Sequence, residues 1–136
     1  MKRKQLLGCL EQMEEFERPK IGLEQYMTPP DIATSMLLEL REELTGSTVL
    51  DLGTGTGMLG MGAALMGAQS VLGVDLDASA LAAAQNNIDQ MDENSIFSLL
   101  QADAKALPDL LRPGQQFDML HSFPFDEMEL GKRMDC

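Results

Sequence analysis

A parallel α/β sheet of the doubly wound, Rossmann-like kind is what this sequence predicts, on three observations. Short apolar runs alternate with helix-patterned stretches from residue 48 onward; a glycine-rich turn follows the first run; and each of the first three runs closes on or beside an aspartate. The 136 residues fit one domain, read as helices and a covering loop over 1–46 and a sheet core over 47–121.

The elements follow in order. Apolar residues at 6, 7, 10, 13 and 16 give helical spacing from Leu6 to Phe16, ended by Pro19. Ile21 to Thr28 has mixed polarity and runs into Pro29 and Pro30, which demand an extended approach to the next helix. Asp31 or Thr28 can cap that helix; its inward face reads Ile32, Met36, Leu37 and Leu40, and Gly46 with Ser47 closes it. Then come a strand from Thr48 to Leu52, a helix from Met58 to Met66, a strand from Ser70 to Asp75 and a helix from Ala78 to Met91. A strand from Ile96 to Gln101, a short helix near Lys105 to Leu111 and a strand from Phe117 to His121 follow. Beyond Phe125 the polar DEMELGKRMDC has no period, so the sheet is expected to be truncated after its fourth strand, with that strand unpaired on one side.

Composition narrows the function. With 44% hydrophobic and 24% charged residues the chain can build a core, which excludes wholesale disorder. No run approaches the ~18–20 apolar residues of a membrane helix, and the apolar stretch after Lys2, Arg3 and Lys4 ends at Glu11, too short for a signal peptide; an intracellular protein is expected. Two cysteines near opposite termini, Cys9 and Cys136, and a lone histidine exclude a disulfide framework and an ordinary zinc cluster, so no metal is expected. The net charge of −12 opposes unaided binding of nucleic acid. What cationic patch exists is Lys2, Arg3, Lys4, Arg18 and Lys20.

The strongest local signal is Asp51-Leu52-Gly53-Thr54-Gly55-Thr56-Gly57, where a strand must turn into a helix. Glycines there permit positive φ and let backbone amides approach a ligand. Gly55, Gly57 and Gly60 also satisfy the dinucleotide pattern GxGxxG, so NAD competes. Asp51 decides between them: a carboxylate just before the first glycine repels a pyrophosphate but suits the ammonium of S-adenosyl-L-methionine, directly or through water. Asp75 ends the second strand 18 residues past Gly57, where its two oxygens can accept both ribose hydroxyls, because Asp77 or Ser79 is the better cap for the following helix. Asp103 can accept the adenine amino group while Ala104 offers its amide to a ring nitrogen; capping the next short helix is the competing role.

With these residues in place, Phe16-Glu17-Arg18-Pro19-Lys20 and Leu23-Glu24-Gln25-Tyr26-Met27-Thr28-Pro29-Pro30 become informative. Together with the glycine turn they closely resemble the methyltransferase-like family that N6-methylates one adenosine in small-subunit ribosomal RNA. The resemblance runs from the first helix through Phe117-Asp118, with Met27 where the family has Pro, and Thr54 and Thr56 where it has cysteines. It implies an S-adenosyl-L-methionine-dependent rRNA adenosine-N6 methyltransferase of nucleus and cytoplasm, with cofactor contacts from Gln25, Thr28, Gly53, Thr56 and Met58 beside Asp51, Gly55, Asp75, Asp103 and Ala104. Tyr26, the chain's only tyrosine, is read equally as a core anchor or as facing the cofactor.

The family follows the fourth strand with Asn-Pro-Pro-Phe, whose Asn and Pro accept the adenine amino protons while Phe stacks on the flipped base. This chain reads His121-Ser122-Phe123-Pro124-Phe125, so the Asn is absent and only Pro124 and Phe125 stand as catalytic candidates. The alternative is therefore a non-catalytic, truncated product that binds cofactor or an activator subunit. The third strand, Ile96 to Leu100, has neither Pro nor Lys to blunt an edge. The resemblance implies a small zinc-binding methyltransferase activator there, giving a heterodimer; a segment of the same chain covering the strand is the competing possibility.

Overall fold

The computed structural model describes residues 1–13, 28–106, 116–121 and 132–135, the last two stretches as backbone. Helices α1 (Arg3–Glu11), α2 (Pro30–Glu39) and α3 (Arg41–Leu44) precede β1 (Thr48–Leu52). Then follow α4 (Met58–Leu65), β2 (Ser70–Asp75), α5 (Ala78–Gln90), β3 (Phe97–Gln101), a 3₁₀ turn at Ala104–Ala106, β4 (Gln116–His121) and β5 (Lys132–Asp135). The sheet order is β3-β2-β1-β4-β5. The first four strands are mutually parallel, so each strand-to-strand passage needs a crossover and the carboxyl ends of β1, β2 and β3 fall on one edge.

Alternation along the strands separates two faces. Val49, Val71 and Phe97 join Leu6 and Leu10 of α1, Ala33 and Leu37 of α2, Leu59 and Met61 of α4 and Ile88 of α5 in one buried cluster. Leu50, Leu52 and Val74 form a second cluster on the opposite face, with Leu72 and Leu100 partly buried against it. Among the described residues the helices gather on the first face, so α4 and α5 press the turns that follow β1 and β2 against the sheet edge.

Several elements depart from expectation. The first helix runs from Arg3 to Glu11, with Gln12 as its C-cap, so it starts earlier and ends sooner than the apolar spacing from Leu6 to Phe16 indicates; Phe16 itself lies outside the described residues. The second helix breaks at Leu40, whose φ of −99° and ψ of 12° leave the helical basin. Its N-cap is Pro29, with Pro30 at the first helical position, rather than Thr28 or Asp31; proline loses nothing there because that amide has no helical acceptor. Ile32 does not face inward but is 50% exposed; Ala33, Thr34 and Leu37 are the buried residues. The stretch Lys105 to Leu111 forms only the 3₁₀ turn Ala104–Ala106 within the described residues. The largest correction is at the far edge. β4 is not unpaired, because Lys132–Asp135 runs antiparallel to it with Asp118 opposite Arg133. Four residues without hydropathic alternation can still supply the backbone donors and acceptors that a ladder requires.

Candidate functional site

The turn after β1 is held by bonds from four directions. Gly53, Gly55 and Gly57 have φ of 69°, 56° and 90°, left-handed values that residues with a Cβ adopt at a cost, which accounts for the alternate-residue spacing of the motif. The amides of Gly53 and Thr54 both donate to the Val74 carbonyl, at 2.8 and 2.9 Å, tying the turn to β2. Gly57 N donates back to Thr54 O at 2.8 Å. Asn87 of α5 donates through Nδ2 to Thr56 O at 2.9 Å.

Asp51 sits beneath this turn with no exposed surface. Its Oδ2 accepts from the Thr54 hydroxyl at 2.7 Å and from Gly60 N at 3.1 Å, joining the strand, the turn and the first turn of α4. The two bonds offset the cost of burying a carboxylate. Gly60 is required by close approach: a Cβ there would lie 2.5 Å from the Phe97 ring and 3.1 Å from Asp51 Oδ2. Gly73, opposite Asp51 in the β1–β2 register, makes room for the same ring and for the Thr54 hydroxyl.

Asp75 ends β2 and reaches the turn directly. Its Oδ2 accepts from Gly55 N at 2.8 Å and its Oδ1 from Asp77 N at 2.9 Å, so both oxygens are oriented by backbone amides, and a carboxylate oxygen can accept more than one bond. Leu76, next in sequence, is 56% exposed, an apolar surface beside a carboxylate. Asp77 is the N-cap of α5, accepting from Ser79 N and the Ser79 hydroxyl, which leaves Asp75 without a capping duty. Ala102 N donates to Asp75 O at 3.0 Å and Gln101 pairs with Asp75 in the β2–β3 register, so Asp103 begins one strand over, on the same edge. Asp103 Oδ1 accepts from Lys105 N at 2.9 Å, which realises the capping role.

The structure thus brings Asp51, Gly53, Gly55, Thr56, Asp75, Asp103 and Ala104 to one edge of the sheet. Met58 opens α4 with its side chain in the core, so its backbone is what faces the turn. Thr28 is half-buried just before Pro29. Gln25, Tyr26, Pro124 and Phe125 lie outside the described residues. His121 ends β4 opposite Leu52, at that same edge. Three residues escaped sequence reasoning: Leu76, Thr54 and Asn87. Asn87 alone left a signal, as a polar residue on the buried stripe Ala80, Ala84, Ile88 of α5.

A four-stranded parallel run ordered 3-2-1-4, a positive-φ glycine turn after the first strand and an acid ending the second together define a Rossmann-like fold of the kind that binds a nucleoside cofactor at its strand ends. Residues 31–120 match the family model described as ribosomal protein L11 methyltransferase (PrmA), and the chain belongs to that methyltransferase family. It is 40% identical over 106 residues to the rRNA N(6)-adenosine-methyltransferase METTL5 of Danio rerio, a match covering 76% of this chain and 51% of that protein. Against the Caenorhabditis elegans rRNA N(6)-adenosine-methyltransferase metl-5 it is 41% identical, covering 74% of this chain and 48% of that one. A Pyrococcus horikoshii protein whose crystal structure is described as that of a "putative RNA methyltransferase" superposes with a TM-score of 0.76 at 30% identity, over 90% of this chain and 60% of that one. The expected likeness to the rRNA adenosine-N6 methyltransferases is therefore borne out, as is the Rossmann-like sheet. The chain spans about half the length of the curated relatives it matches.

Proposed function

We propose that this chain carries the S-adenosyl-L-methionine site of an rRNA adenosine-N6 methyltransferase, which moves a methyl group to the exocyclic amine of an adenosine in small-subunit rRNA. The observation that carries the reading is the bond from Gly55 N to Asp75 Oδ2, which joins the glycine turn to the acid at the end of β2 as one preorganised surface. The residues fit the cofactor. The turn offers backbone where a Cβ would intrude, Asp75 offers carboxylate oxygens to ribose hydroxyls, and exposed Leu76 offers an apolar face to a purine. Asp51 acts through the turn, fixing Thr54 and Gly60, rather than by direct contact, since it is closed to solvent. Gln25, Thr28, Met58, Asp103 and Ala104 complete the set by family likeness. The cofactor supplies the electrophilic methyl.

The relatives named as rRNA N(6)-adenosine-methyltransferases support the substrate class. A small zinc-binding activator is the proposed partner, pairing with β3 at the outer edge of the sheet, where the backbone of Phe97–Gln101 has β2 on one side. A basic partner surface would also offset the chain's net charge of −12 toward RNA. Among the described residues no helix is long and apolar enough to cross a membrane. The proposed location, nucleus and cytoplasm, rests on the likeness to the rRNA methyltransferases alone.

A second reading is favoured by one observation: after the fourth strand the sequence reads His121-Ser122-Phe123-Pro124-Phe125, without the Asn-Pro-Pro-Phe that the family resemblance implies. On that reading the chain binds cofactor or activator without transferring methyl, because the sequence lacks the Asn whose side chain would accept an adenine amino proton ahead of Pro124 and Phe125. Calorimetric titration with S-adenosyl-L-methionine and with NAD tests the site; binding of the first only, weakened about tenfold or more by Asp75→Ala, is expected. Equal affinity for NAD would sink the assignment. A methyl-transfer assay on small-subunit rRNA with the activator then separates the two readings, since cofactor binding without transfer selects the second.

A further inference from the structure

Glycines that permit positive φ also make the peptides between them easy to rotate, because glycine populates both signs of φ. A turn built on three of them needs external grips to present one surface to a ligand. Two of its peptides are gripped at both ends. The Thr54–Gly55 peptide has its carbonyl bonded by Gly57 N at 2.8 Å and its amide bonded to Asp75 Oδ2 at 2.8 Å. The Thr56–Gly57 peptide has its amide bonded to Thr54 O at 2.8 Å and its carbonyl bonded by Asn87 Nδ2 at 2.9 Å. The Gly55–Thr56 peptide between them is consequently fixed from both sides.

We propose that Asn87 is a positioning residue for this turn, holding the Thr56–Gly57 peptide so that the cofactor meets it preorganised; the proposal rests on the reading of the turn as the S-adenosyl-L-methionine site. Three observations converge on it. Asn87 is 1% exposed on a stripe that is otherwise alanine and isoleucine, where a polar side chain is costly unless bonded. It reaches 31 residues back along the chain to a main-chain carbonyl. Thr56 is 2% exposed, so water is a poor substitute partner for that carbonyl. Rotating the peptide would break the bonds at both of its ends together, which makes the grip cooperative. Asn87 meets the turn at the Thr56 carbonyl, so its removal should loosen cofactor binding as well as lower stability.

The test compares Asn87→Leu with Ile88→Val in the full chain. Ile88 is fully buried beside Asn87 in sequence, and losing one methyl there lowers the melting temperature without touching the Thr56 carbonyl. Wild type and both variants are titrated calorimetrically with S-adenosyl-L-methionine at a temperature where all are folded. Asn87→Leu should raise Kd about five- to tenfold, the worth of one buried hydrogen bond, with Ile88→Val within about twofold of wild type. Equal Kd values for the two variants overturn the positioning role and leave the cofactor site standing. Failure of wild type to bind overturns the cofactor reading and this proposal with it. Should Asn87→Leu not fold, Asn87→Ser, which removes the amide without adding apolar bulk, is read by the same criterion.

Discussion

β1 and β2 lie side by side and parallel, yet the chain leaves them by opposite means. After β1 it uses a five-residue turn with three left-handed glycines, nearly all of it buried and tied down by backbone bonds to Val74 and Thr54 and side-chain bonds from Asp75 and Asn87. After β2 it uses Leu76 and Asp77 alone, an exposed leucine followed by an ordinary aspartate cap. Backbone presented to a ligand needs glycine for shape and remote side chains for rigidity. Side chains presented to a ligand need only a strand end to hold them. Function at the first turn is therefore bound up with packing, whereas at the second the two separate.

The sharpest way to break that contrast is Gly60→Ala. The added Cβ would meet the Phe97 ring at 2.5 and 2.9 Å, and Phe97 is itself buried and in contact range of Gly57 and Gly73, so the ring has little room to retreat. A loss of roughly 2–3 kcal/mol is expected by urea denaturation, with cofactor affinity falling alongside because Asp51 Oδ2 is displaced too. A stable variant with wild-type affinity would mean that the first turn tolerates more than its geometry implies. Asp77→Ala should cost less, about 1 kcal/mol for a lost N-cap, and should leave cofactor affinity within about twofold, since the Asp77 amide still donates to Asp75. An affinity loss as large as that of Asp75→Ala would erase the distinction between the turns.

At the opposite edge of the sheet, the turn from α5 to β3 extends the comparison. Asp92 takes φ of 54° without being glycine, while no ligand is argued to meet this turn. Asp92→Gly should stabilise the chain by about 0.5–1 kcal/mol in thermal melts, with no change in cofactor binding. Destabilisation would show that the Asp92 side chain contributes more than its backbone conformation costs.

What could be seen in the sequence divides along the same line. The glycine spacing and the strand-end acids were legible because both are local: positive φ leaves glycines in the record, and an acid at a strand end survives any packing arrangement. β1 and β2 begin and end where their hydropathy indicates. The roles of Thr54 and Gly73 were not legible, and Asn87 showed only as a polar residue on an apolar stripe with no hint of its partner, because each depends on a residue brought near only by the sheet register or by the packing of α5. Ile32 misled for a related reason: its helical spacing with Met36 is genuine, but α2 lays Ala33 and Leu37 against α1 and α4 instead. β5 left no hydropathic signal at all, since an edge strand can be held by main-chain bonds to one neighbour.

The smallest effect tests the same turn by pH. Burial, and then the negative charge of neighbouring Asp92, push the Glu93 carboxyl above its ordinary value of 4.5. The folded chain therefore holds that proton more tightly than the unfolded chain does. Its contribution to stability is present in full below the unfolded value and is lost as pH rises through the higher folded value. Glu93→Gln removes the titration, so its melting temperature relative to wild type should climb as pH is raised from about 4 to about 7. Because Glu93 is only half-buried, solvent screening keeps the effect small. Asp92→Asn should shrink the same pH dependence by withdrawing the second cause while leaving burial in place. A pH profile of wild type that stays parallel to that of Glu93→Gln would mean that the ionised carboxylate is as well solvated in the fold as in the open chain.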